Sequence, residues 1–232
     1  HMSDHVGKGV MVEAEQSRTA PCTKRTRLQQ PAVGVCREWK KAEDDAGRVE
    51  NLLDRRSLLS RPAKNGQTRP VAANLDQIVI IIAVKPTIDP LLLDQYLIVC
   101  EFQEIKPLIV LNKVDLLDEG SRKSTDELIL LYRNLSYEVI EVSAVEKSGL
   151  DKLRKRLKNE TSILVGQSGV GKSTITNSLL LDLDLQTKAL STASGLGKHT
   201  TTSSTLYKLP AGGDIIASPG VNTFGSANVT ET

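Results

Sequence analysis

The octapeptide Gly166-Gln-Ser-Gly-Val-Gly-Lys-Ser173 constrains this 232-residue chain more than any other stretch. It satisfies G-x-x-x-x-G-K-[ST], and it stands between a strand-like run, Ser162–Val165, and a helix-like run, Lys172–Leu181. Gly166, Gly169 and Gly171 allow backbone N–H groups to curl inward without β-carbon clashes, at a helix start that is already partly positive. The result is an anion cradle built from main chain. Lys172 can reach the outer phosphates of a nucleotide, and the Ser173 hydroxyl can ligate a Mg²⁺ that bridges two of them. Gln167, Ser168, Val170 and Thr174 complete the segment expected around the phosphates. The bland alternative, a glycine-rich turn that binds nothing, fits this strand–loop–helix frame poorly.

The frame extends over most of the chain. Gln77–Val84 reads as a strand buried on both faces, because it is a near-continuous β-branched run. Asp89-Pro90 supplies an N-cap and a first-turn proline for a helix over Leu91–Phe102. Pro107–Leu111 follows as a strand. Ser124-x-x-Glu127 reads as a capping box opening a helix with Leu128, Leu131, Tyr132 and Leu135 on its apolar face. Val139–Val142 is the next strand, and Leu150, Leu153 and Leu157 mark a basic amphipathic helix. Thr205–Leu209 and Asp214–Ala217 are two further strands. Strands alternating with helices predict a mostly parallel sheet covered on both faces, an α/β domain over residues 76–232.

The front of the chain is different. Residues 6–60 show short β-type fragments (Gly9–Ala14, Ala32–Trp39, Val49–Leu59) broken by Gly34, Gly47 and the charged Lys40–Asp45 run. A small β domain over residues 1–60 is expected, with 1–6 as a tag or disordered start, since His1 precedes Met2 as a cloning remnant would. Arg61–Asn74, with Pro62, Asn65-Gly66 and Pro70, reads as a linker, placing the join at 61–75. Charge follows the same division: 14 Lys/Arg against 9 Asp/Glu in residues 1–70, then 16 against 19. A basic, aromatic-poor front end on a mildly acidic body suggests a nucleic-acid-facing module, a few surplus surface lysines being the plainer reading.

Composition excludes other classes. The longest uninterrupted apolar run, Ile78–Val84, is seven residues, far short of the ~20 of a membrane helix, so no membrane partner is expected. Cys22, Cys36 and Cys100 are odd in number and lack C-x-x-C spacing, which predicts reduced thiols in a cytoplasm and no protein-bound zinc.

Asn112-Lys113-Val-Asp115 follows directly on a strand, where open parallel sheets place ligand-reading residues. A carboxylate at Asp115 can accept from N1–H and the 2-amino group of guanine together. Adenine offers neither in that arrangement, so its complex would leave a buried acceptor unpaired. The Lys113 stem can pack over the base, and Asn112 can tie this loop to the phosphate loop. Ser143-Ala144, after the next strand, would add a backbone N–H to guanine O6. GTP or GDP with Mg²⁺ is therefore the expected ligand. A P-loop kinase or ATPase would leave Asn112–Asp115 without a purpose.

The order of these motifs is unusual, because base recognition precedes the phosphate loop. A site assembled from loops on one sheet edge survives relocation of the termini, so the chain reads as circularly permuted. That order, with a small β domain in front, resembles the ribosome-small-subunit-dependent GTPase family of the RsgA/YjeQ type. Pro70-Val-Ala-Ala-Asn-Leu-Asp-Gln-Ile78, Gly166–Thr174, Gly195-Leu-Gly-Lys-His-Thr-Thr-Thr202 and Ser218-Pro-Gly-Val221 carry the resemblance.

The resemblance implies an OB-like front domain contacting ribosomal RNA, a permuted GTPase, and action in late maturation of the small ribosomal subunit, which stimulates hydrolysis. It implies that Thr201 closes over the Mg²⁺, a polar surface loop being the plainer reading, and that Gly220 contacts the nucleotide; His199, two residues before Thr201, is a candidate to position the attacking water, a solvated histidine being its plainer reading. A soluble cytoplasmic monomer is the expected form. Two departures stand out. The family's D-S-P-G reads Ala217-Ser-Pro-Gly220, which removes an aspartate of the metal shell. Asp214 is an unsuitable substitute, about 10 Å away and on the opposite strand face. The family's carboxyl-terminal zinc domain does not follow Gly220, so no zinc and weaker ribosome engagement are expected. The competing reading is a guanine-nucleotide-dependent RNA-binding module that Ala217 leaves nearly unable to hydrolyse.

Overall fold

A computed structural model describes residues 2–6, 9–13, 19–24, 32–35, 37–41, 47–62, 68–180 and 204–218. The chain divides into two compact units: residues 1–75 with 201–207 and 216–232, and residues 76–200 with 208–215.

In the first unit, β1 (Met2–Val6), β2 (Gly9–Glu13), β3 (Thr19–Lys24), β4 (Arg37–Lys41) and β5 (Gly47–Leu52) form one sheet in the order β1-β2-β3-β5-β4. Neighbours are antiparallel except β3 and β5, which run parallel. The start expected to be disordered is thus a strand, Met2–Val6, paired with β2. Strand β3 was not foreseen, and β4 runs into the charged segment expected to turn. Cross-strand pairing, which no local pattern encodes, decides both.

Most of the expected linker is also strand. β6 (Leu58–Pro62) and β7 (Thr68–Ala73) form an antiparallel pair. Leu59, Val71, Ala72 and Ala73 are buried, so the proline-rich composition concealed a hairpin. Pro70 fits because β7 belongs to a two-stranded ribbon, where a missing N–H costs little. Asn74, at φ +57°, closes this unit: its side chain donates to the Gly34 carbonyl at 3.0 Å and accepts from the Arg56 N–H at 2.9 Å.

The second unit is the α/β body. Its elements are β8 (Gln77–Ala83), α1 (Pro90–Phe102), β9 (Lys106–Asn112), α2 (Glu119–Asn134), β10 (Val139–Val142), α3 (Leu150–Leu157), β11 (Thr161–Val165) and α4 (Lys172–Leu180). With β12 (Thr205–Lys208) and β13 (Asp214–Ala217), the sheet order is β10-β9-β8-β11-β13-β12. Pairs β10–β9, β9–β8 and β8–β11 are parallel. All seven residues of β8 are buried, as a central parallel strand requires. The core joins Val79, Ile81, Leu108, Val110, Ile140 and Val142 to Leu150, Leu153 and Leu157 of α3 and Ile175 and Leu179 of α4.

Two helix details depart from expectation. Asp89 caps α1 as foreseen, accepting from the N–H groups of Leu91 and Leu92. Helix α2, however, starts at Glu119, five residues before the expected Ser124 cap. Asp118 accepts from the Ser121 N–H at 2.8 Å while Ser121 Oγ bonds back to the Asp118 N–H at 3.2 Å. A carboxylate at the positive helix end outcompetes a downstream serine, and these bonds hold the Asp118 carboxyl below its ordinary range. The buried face of α2 is Thr125, Ile129 and Tyr132, whereas Leu131 and Leu135 are exposed.

Candidate functional site

The phosphate loop leaves β11 and enters α4 as the sequence requires. Gly166 and Gly171 take φ of +139° and +97°. A β-carbon on Gly166 would meet the Ile81 carbonyl, and one on Gly171 would meet the Asn112 amide nitrogen, so neither position admits a side chain. Gly169, at φ +81°, lies between them. Val170 is buried against the core, while Gln167 is partly buried and Ser168 exposed. Lys172 folds back over the loop, donating to the carbonyls of Gly166 at 2.6 Å and Gln167 at 2.7 Å. Burial holds its ammonium below the ordinary lysine range. Ser173 and Thr174 are exposed in the first turn of α4.

Asn112, the last residue of β9, is 1% exposed. Its Nδ2 donates to the Val170 carbonyl at 2.8 Å, and its Oδ1 accepts from the Ala144 N–H at 3.3 Å. One side chain therefore joins the base motif to the phosphate loop and to the loop after β10. Asn112 is the type that can do this, because its amide presents a donor and an acceptor in fixed opposition. Lys113 adds a second bridge to the phosphate loop, and Asp115 is exposed in a single 3₁₀ turn, Val114–Leu116.

Ser143 is buried; its N–H donates to the Ser148 carbonyl at 3.1 Å, and its hydroxyl accepts from the Glu146 N–H at 3.1 Å. The backbone donor expected for guanine O6 is not idle here. The Ala144 N–H is engaged by Asn112, and a guanine oxygen would have to share it. A buried N–H without a partner costs about 1–3 kcal/mol, which explains why the protein supplies one.

The structure thus gathers Asn112, Lys113, Ala144 and the phosphate loop into one linked set. His199, Thr201 and Gly220 lie outside the described residues. Ala217 ends β13 half-buried and carries no oxygen on its side chain. Asp214 is paired with Lys208 Nζ at 3.2 Å. Among the described residues, no group of three or more His, Cys, Asp or Glu could hold a metal. For a Mg²⁺ held largely by phosphate oxygens and water, the exposed Ser173 hydroxyl fits as the protein ligand, and Ala217 does not.

One contributor escaped the sequence. Tyr96 of α1 is buried, and a main-chain hydrogen bond from Gly166 reaches its hydroxyl. Burial nevertheless raises its pKa to about 12. Gly166 is thereby held from the α1 side while its carbonyl takes Lys172. Tyr96 sits on the apolar stripe of α1 among Leu93, Leu97 and Cys100, so nothing in the sequence distinguishes it from packing.

A family model described as RsgA GTPase matches residues 52–227. The chain is 42% identical over 226 residues to the small ribosomal subunit biogenesis GTPase RsgA of Pseudomonas aeruginosa, covering 97% of this chain and 67% of that protein. It is 44% identical over 232 residues to the protein of the same name from Chromohalobacter salexigens, covering 98% and 68% respectively. Among solved structures, YjeQ from Thermotoga maritima superposes with a TM-score of 0.76 at 31% identity, over 97% of this chain and 75% of that one. YloQ, described as a circularly permuted GTPase, shares the fold with a TM-score of 0.70 at 22% identity, over 99% of this chain and 75% of that one.

Proposed function

This chain belongs to the RsgA GTPase family, and from that membership we propose a residue-level account of how it binds and hydrolyses GTP in small ribosomal subunit biogenesis. It is a GTP-hydrolysing enzyme with the permuted order and mostly parallel sheet of its relatives. The observation that carries the assignment of residues is the Asn112 side chain, bonded to Val170 on one side and Ala144 on the other. With it, base-reading and phosphate-holding motifs belong to a single site.

In this account Asp115 accepts from N1–H and the 2-amino group, Ala144 offers its N–H toward O6, and Lys113 covers the ring. The amides of Gly169 to Ser173 surround the phosphates. Lys172 exchanges its two loop carbonyls for phosphate oxygens, a move that offsets the burial penalty on its charge. Ser173 would hold a Mg²⁺, which would supply charge neutralisation on the phosphates. Thr201 would join Ser173 in holding that ion, and His199 orients the water that attacks the γ-phosphorus; the bond to the β,γ-bridging oxygen breaks, GDP leaves in line, and the water's proton passes to a phosphate oxygen. Val221 follows Gly220, where many GTPases carry a water-positioning Gln, so that help comes from elsewhere in the protein or from the small subunit.

The front sheet supports an OB-like domain. Five strands whose third pairs in parallel with the fifth are compatible with a five-stranded Greek-key barrel. With its surplus of Lys and Arg, this domain contacts ribosomal RNA chiefly through phosphates. No helix among the described residues is long and apolar enough to cross a membrane. We take the protein to act as a cytoplasmic monomer.

Thermal shift with GDP against ADP, with and without Mg²⁺, tests the base assignment. A bound nucleotide stabilises by RT ln(1 + [L]/Kd), so GDP is expected to raise Tm and ADP to leave it in place. Equal shifts would remove Asp115 from its role.

A further inference from the structure

We infer that Ser178 is a positioning residue for guanine specificity: from the helix that begins in the phosphate loop, it fixes the backbone of Ala144, whose N–H, donated here to Asn112, is the one the guanine reading assigns to the purine 6-position. This rests on the guanine reading above and names a residue outside every nucleotide motif.

Ala144 is 7% exposed and is gripped at both of its main-chain polar atoms. Its N–H goes to Asn112 Oδ1 at 3.3 Å, and its carbonyl accepts from Ser178 Oγ at 3.4 Å. The second contact is long for an O–H···O bond, so its contribution is modest. Ser178 lies in the last turn of α4, six residues after Lys172. Its own carbonyl, which a helix end would leave without a partner, accepts from Arg154 Nη2 of α3 at 3.1 Å.

These bonds close a ring. Val170 accepts from Asn112, Asn112 accepts from Ala144, Ala144 accepts from Ser178, and α4 leads from Ser178 back to Val170. Only two side chains, Asn112 and Ser178, serve as links in it. One end of α4 therefore meets the phosphates while its other end holds the base loop. Opening the ring at Ser178 leaves the phosphate loop and Asp115 untouched and loosens only the Ala144 backbone, whose N–H must turn partly from Asn112 to share itself with O6. Discrimination at that position depends on donor direction, since adenine presents an amino group where guanine presents an acceptor.

The test is competition binding of the full chain with GDP, inosine diphosphate and the diphosphate of 2-aminopurine riboside, which lacks O6. Ser178→Ala favours helix and is expected to fold normally. It should weaken GDP and inosine diphosphate about two- to tenfold, the worth of one modest hydrogen bond, and leave the 2-aminopurine nucleotide unchanged. Ser178→Thr, which restores the hydroxyl, should recover the lost affinity. An equal loss for all three nucleotides, or undiminished GDP binding, overturns the inference. Wild-type chain that binds ADP as tightly as GDP would overturn the guanine reading itself, and this inference with it.

Discussion

Lys113 donates its ammonium to the carbonyl of Gly169 at 2.7 Å, across 56 residues of sequence. The same nitrogen donates to the Lys85 carbonyl at 2.7 Å, and Lys113 itself sits at φ +61°. The base motif and the phosphate loop are thus no farther apart than one lysine side chain, a span that a single guanosine phosphate can occupy.

Asn112→Ala should be costly before any nucleotide is added. It leaves the Val170 carbonyl and the Ala144 N–H buried without their partner. A loss of about 2–4 kcal/mol in a urea melt is expected, from two unsatisfied groups and a small cavity. An unchanged midpoint would mean that the three loops hold together without this amide.

Asp115→Asn should change the base that is read while sparing the fold, because Asp115 is exposed. An amide presents one donor and one acceptor, which matches xanthine's N1–H and 2-oxo group better than guanine's two donors. GDP affinity should fall by about a hundredfold or more, and xanthosine diphosphate should give the larger thermal shift. Retained GDP preference would show that the base is read elsewhere.

Lys172→Met should abolish the GDP-induced shift and leave a folded chain. It also carries a pH signature. The folded pKa of Lys172 lies below its ordinary value of about 10.4, so between the two the unfolded chain binds more protons and stability rises with pH. The charging cost is present at neutral pH and disappears as pH climbs past the unfolded value. Wild type should therefore gain on Lys172→Met as pH rises from the depressed folded value toward the unfolded one in paired urea melts. Parallel curves would mean that the ammonium is not penalised by burial.

Ala217→Asp puts a carboxylate at the end of β13, in a half-buried position that tolerates it. Single-turnover GTP hydrolysis at limiting Mg²⁺ should rise about tenfold or more, with a lower Mg²⁺ requirement. A rate that ignores the substitution would indicate that turnover is organised without that oxygen.

Much of this molecule was legible locally. The strand at Gln77–Ala83 announced itself by unbroken β-branching, and α1 by its Asp89 cap and first-turn proline. The phosphate loop is conspicuous because its glycines answer a backbone demand. Helix α2 was misread at both its start and its face. Two capping signals, Asp118 and Ser124, compete within one turn and a half, and leucines at Leu128, Leu131 and Leu135 match a helical period as well as the true buried set does. The hairpin of β6 and β7 was hidden for a related reason, since its prolines resemble a linker until a partner strand is present.

The sequence by itself determined which chemistry is available: an anion cradle, a carboxylate for a purine edge, and a motif order that demands a permuted sheet. These are encoded by neighbours in the chain, within the reach of backbone geometry and side-chain type. Only the tertiary structure decided how those pieces lock. That Asn112 satisfies Val170 and Ala144, that Tyr96 meets Gly166, and that Ser178 reaches Ala144 are pairings between residues 32 to 70 positions apart. Burial makes the Asn112 bonds obligatory, because a polar group removed from water must find a partner, but which partner each group finds depends on how the strands and helices are arranged in space.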